Sequence, residues 1–76
     1  MDEEAARRIG REILRVDEAL EDDRAAGGKR SRAEFNTRRS ALRWSLHAVL
    51  GGSPAEPPGD AVDAFLRALR DAGDQR

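Results

Sequence analysis

Residues 31–52 read SRAEFNTRRSALRWSLHAVLGG, and this stretch decides the fold. Ser31 and Glu34 stand at the spacing of a capping box, in which hydroxyl and carboxylate satisfy amides at a helix start. Phe35, Leu42, Leu46 and Val49 follow. At about 100° per residue they span roughly 60°, a tight apolar stripe on one helix face. Gly51-Gly52 then stops the pattern, since glycine takes the left-handed C-terminal position at little cost. The spacing predicts a helix over about residues 31–50.

The same design repeats on either side. Towards the N-terminus, Ala6, Ile9, Ile13, Val16 and Leu20 recur every three or four residues and predict a helix over about 3–25. Asp2, Glu3 and Glu4 sit where carboxylates complement the helix dipole, and Gly27-Gly28 ends the segment. Gly10 interrupts the pattern and should weaken it by up to about 1 kcal/mol relative to alanine. Leu14 falls off the stripe. Towards the C-terminus, residues 51–59 hold three prolines and three glycines and form a linker. A third, shorter helix is expected at about 61–72, capped by Asp60, faced by Val62, Phe65, Leu66 and Leu69, and closed by Gly73. β-branched residues are sparse and do not alternate, so no strand is expected. The expectation is one all-α domain over residues 1–76. Its first two helices, joined by the short connection at 26–30, form an antiparallel hairpin. The third can fold back on them or reach another subunit.

Composition bounds the function. A 76-residue domain buries only about 60% of its unfolded surface, and this chain has no cysteine to add a disulfide or thiolate metal site. A partner chain is therefore a reasonable expectation. No apolar run approaches the roughly 18 residues of a membrane span. The acidic start, Met1-Asp2-Glu3-Glu4, is unlike a secretory signal, so a cytoplasmic setting is expected. Arginine outnumbers lysine 13 to 1, a bias of GC-rich bacterial or phage coding. The single histidine, His47, has no nucleophile that spacing places beside it. Serines and acid pairs fall at caps, surfaces and helix ends. No catalytic residue, metal site, cofactor or small-molecule substrate is expected.

Charge is unevenly distributed although the net is −1. Residues 1–24 carry net −4, residues 29–43 net +5 and residues 53–76 net −2. On the second helix Arg32, Asn36, Arg39, Arg43 and His47 form a basic stripe beside the apolar face. Three readings follow, one of which is that the arginines select acidic groups on a partner. The stripe can pair with the acidic first helix (Asp17, Glu18, Glu21, Asp22, Asp23), and so fix how the helices meet. Alternatively Lys29, Arg30, Arg32, Asn36, Arg39 and Arg43 track nucleic-acid phosphates and base edges. A pI near 5.8 weighs against the last.

Trp44 lies about 170° from the centre of the apolar face, among Ala33, Thr37, Ala41 and Ala48. The second helix thus has two packing faces, and the first helix covers one. The other is left to the third helix, to a second chain, or to an exposed anchor. Tryptophan and arginine are enriched at interface hot spots, so Trp44, Arg32, Arg39 and Arg43, with Phe65 of the third helix, are the candidate partner-binding residues.

Residues 28–42 run Gly28, Lys29, Arg30, Ser31, Arg32, Ala33, Glu34, Phe35, then Arg38-Arg39 and Leu42. This resembles the second half of the short helical hairpin called SHOCT, which has a Gly-x-x-Thr/Ser-x-x-Glu-Phe run followed by a basic pair and a leucine. Lys29 and Arg30 replace that family's usual aliphatic residue, and its leucine-rich first helix is matched poorly here. The resemblance implies a role in oligomerisation or protein contact. The expected function is a small, non-catalytic interaction or oligomerisation module, either a homo-oligomer or an accessory or inhibitor subunit of a larger complex. Nucleic-acid binding through the second helix is the alternative.

Overall fold

A computed structural model describes residues 2–25 and 30–73 and places three helices and no strand among them. These are α1 (Glu3–Ala25), α2 (Arg30–Val49) and α3 (Asp60–Gly73). The glycine stop at Gly27-Gly28 and the connection after it lie outside the described residues.

Three of the helix ends have an identifiable cause. Asp2 caps α1, with its Oδ1 accepting from the Ala5 amide at 3.1 Å, while its carbonyl takes the first helical bond from Ala6. α2 begins at Arg30, so Ser31 stands inside the first turn rather than ahead of it, a one-residue difference of the kind helix ends show. α2 closes in a Schellman motif. The Gly52 amide donates to the His47 carbonyl at 2.8 Å and the Gly51 amide to that of Ala48 at 3.0 Å. Gly51 takes a φ of 88°, where a side chain would be strained. At α3 the Asp63 amide donates to the Gly59 carbonyl. Gly59 is therefore the cap, and Asp60, expected in that role, is the first helical residue.

The core gathers one face from each helix. Ala6, Ile13, Leu46, Val62 and Leu66 form its buried cluster, with Val16 also buried. Ile9, Leu14, Leu42, Val49, Leu50 and Phe65 pack around it. α3 has thus folded back onto the other two helices. Leu14, off the main stripe, is half-buried on the side of α1 that α3 approaches.

Gly10 is what lets α3 come in. It is buried, and a Cβ there would stand 2.7 Å from Leu69 Cδ2 and 3.2 Å from Phe65 Cε2. The glycine that weakens α1 as an isolated helix is thus the close-approach point of two helices.

Candidate interaction site

Two arginines of the basic stripe of α2, Arg39 and Arg43, are engaged within the molecule, as is Arg38 beside them. Arg38 Nη2 donates to Glu12 Oε1 of α1 at 2.8 Å, and Arg39 Nε donates to Asp17 of the same helix. Arg43 Nη1 donates to Asp63 Oδ1 of α3 at 2.9 Å, its side chain only 16% exposed. The basic edge of α2 thus fastens both neighbours. Each exposed pair is worth only about 0.2–1 kcal/mol, so their effect is to select how the helices meet more than to hold them together.

Of the expected partner contacts, Arg32 is half-buried and makes no ion pair among the described residues. Asn36 is exposed. Phe65 is half-buried and packs against the core, its ring edge over Gly10. Its place on the same α3 face as Val62 and Leu66 accounts for this. Arg30 opens α2, and Lys29 lies outside the described residues.

Trp44 stands apart. It is the large hydrophobic residue left exposed among those described, at 44% of its surface. α3, held close to α1 at Gly10 and to α2 by the Arg43–Asp63 pair, leaves it uncovered. The indole meets His47 edge-on, with ring centroids 5.9 Å apart and planes at 83°. His47 Nε2 in turn lies 2.8 Å from the Ser53 carbonyl. A carbonyl only accepts, so Nε2 carries the proton, and the histidine ties the start of the linker to the end of α2. Gly52 lies against that ring, and a Cβ there would collide with the imidazole of His47. Further along, Pro58 joins Trp44, Asn36, Ser40, Arg39 and Arg43 around a shallow depression of about 210 Å³.

The face around Trp44 is smoother than its residue names imply. Thr37 Oγ1 donates back to the Ala33 carbonyl at 3.0 Å, and Ser45 Oγ to the Ala41 carbonyl at 3.1 Å. With these hydroxyls satisfied inside the helix, docking against them breaks no hydrogen bond to water that is not already replaced. Ala33, Thr37, Ala41 and Ala48 are all exposed. A nearly apolar hollow of about 420 Å³ lies over Ala33 and Thr37, edged by Glu34 and Arg38. A protruding tryptophan and a shallow hollow therefore share one uncovered helix face. Sequence spacing locates this face; the back-bonded hydroxyls carry no signal in it.

Among the described residues no group of three or more acidic or histidine side chains is placed to hold a metal ion. No helix there is long and apolar enough to cross a membrane. Comparison with protein-family models, curated proteins and solved structures finds no match to this chain.

Proposed function

We propose that this chain is a small, non-catalytic interaction or oligomerisation module that works by helix packing, as a homo-oligomer or as an accessory or inhibitor subunit of a larger complex. The observation that carries the reading is the uncovered α2 face, with Trp44 44% exposed among small residues and the hydroxyls of Thr37 and Ser45 already satisfied. Burying the rest of an indole of roughly 250 Å² withdraws about 110 Å² from water. At about 25 cal/mol per Å² that is roughly 3 kcal/mol per tryptophan. Isolated exposed apolar residues are common, but one centred on a smooth helix face suits a docking helix.

The hairpin belongs to the same proposal. α1 ends at Ala25 and α2 begins at Arg30. Five steps of about 3.5 Å reach at most some 17 Å. A parallel pairing would have to return along most of a helix about 30 Å long. Adjacent packing with so short a connection therefore favours an antiparallel pair. The SHOCT-like run at 28–42 and a cytoplasmic, bacterial or phage setting agree with this reading and are part of it. Nucleic-acid binding has less support, because Arg39 and Arg43, two of its contacts, already face carboxylates of α1 and α3.

Trp44→Ala tests the proposal. The variant should keep its helical circular dichroism and lose association in light scattering across a concentration series. Association unchanged in that variant would overturn the role given to the tryptophan.

A further inference from the structure

A second surface lies away from Trp44, where α1 and α3 part. Beyond their close approach at Gly10 the helices leave a cleft of about 450 Å³. Its walls are Arg11, Leu14, Arg15 and Glu18 of α1 with Leu69 and Arg70 of α3, and the last turn of α3 closes one end. The four α1 positions are i, i+3, i+4 and i+7, one continuous helix face. Leu14 and Leu69 are half-buried and give the cleft an apolar floor.

The charge around that floor is unbalanced. The lining of the cleft holds three arginines, Arg11, Arg15 and Arg70, against one acid, Glu18. Arg15 Nη1 is held by Glu12 Oε2 at 2.8 Å. Arg11 and Arg70 make no ion pair among the described residues. A guanidinium fork matches a carboxylate in two parallel hydrogen bonds. The volume is that of a ligand pocket.

We infer that this cleft docks a short acidic peptide segment of a partner protein, an apolar side chain seated on Leu14 and Leu69 between carboxylates held by Arg11 and Arg70. The site is separate from the α2 face, so the module would hold two partners, or two parts of one, at once.

The test is calorimetric titration of the whole chain with the blocked peptide Glu-Glu-Leu-Phe-Glu-Glu at low salt. Saturable binding tighter than about 1 mM is expected, falling as salt screens the arginines. Arg11→Glu with Arg70→Glu should weaken it at least about tenfold, and so should replacing every peptide glutamate by glutamine. The milder pair Arg11→Gln and Arg70→Gln serves if charge reversal disturbs the helical signal. Trp44→Ala should bind the peptide as the wild type does. Absence of saturable binding, or affinity unchanged in the arginine variants, overturns the inference. Binding abolished by Trp44→Ala also overturns it, by placing the peptide on α2 and leaving the first proposal standing.

Discussion

Replacing Gly10 with alanine sets two opposing effects against each other at one atom. In an isolated helix interior the change is favourable by about 1 kcal/mol, because glycine loses more backbone entropy and exposes more backbone. In this fold the new Cβ would stand 2.7 Å from Leu69 Cδ2 and 3.2 Å from Phe65 Cε2, where ordinary carbon contacts are about 3.5–4.0 Å. Leu69 is half-buried and its methyl can swing aside, while Phe65 is packed against the core and yields less. Overpacking of this kind costs about 1–3 kcal/mol. The net expectation is a loss of about 1 kcal/mol, seen as a Tm lower by about 4–8 °C in a domain of this size. Thermal unfolding followed by far-ultraviolet circular dichroism reads it directly. In a Leu69→Ala background the obstructing methyl is gone, and Gly10→Ala should become neutral or stabilising. The four proteins of that cycle should show a coupling of about 1–2 kcal/mol. A Gly10→Ala protein that melts about 4–8 °C above wild type, whatever stands at position 69, would refute the contact of α1 with α3 at this glycine.

Other changes probe other parts of the structure. Gly51→Ala forces a side chain onto a φ of 88° and should cost about 1–2 kcal/mol, read as a lower Tm; an unchanged Tm would contradict the Schellman end of α2. Asp17→Ala and Arg39→Ala, combined in a double-mutant cycle, should show a coupling of about 0.2–1 kcal/mol that fades in concentrated salt. Zero coupling at low salt would remove that pair from the α1–α2 contact. Leu46→Ala, at a fully buried core position, should cost about 2–5 kcal/mol. Trp44→Ala should lower Tm by clearly less; if it is equally damaging in urea or thermal melts, the tryptophan belongs to the core.

Much of the fold is legible in the residue spacing, because large apolar side chains at helical intervals leave one way to be buried. The stripe Ala6, Ile13, Val16 and the residues Leu46, Val62 and Leu66 all reach the core that their periodicity assigns them. Gly10 is different in kind. Its helix-weakening effect is local and readable, but its value as a close-approach point depends on Leu69 and Phe65, more than fifty residues away in sequence. Leu14 reads as an off-stripe residue for the same reason, since α3 adds a second covered side to α1. The arginine stripe is visible in spacing. That Asp63, beyond a proline-rich linker, takes Arg43 is a property of how α3 docks. For Trp44 the sequence places the side chain opposite the core face, and the structure adds that α3 does not reach it. The arginine-rimmed cleft carries no local signature, because its walls come from two helices whose divergence no periodicity encodes.

The central claim is that the α2 face around Trp44 binds another helix, and self-association is its simplest form. Sedimentation of the chain from about micromolar to about millimolar concentration, with Trp44 emission recorded on the same samples, tests it most directly, over the range where about 4–8 kcal/mol of association free energy becomes visible. The account predicts a mass that rises with concentration, indole emission that shifts to the blue as the mass rises, and association at least about 100-fold weaker in a folded Trp44→Ala protein, from about 3 kcal/mol per tryptophan. A monomer at every concentration, with indole emission fixed at its solvent-exposed value, would contradict the claim in its self-associating form.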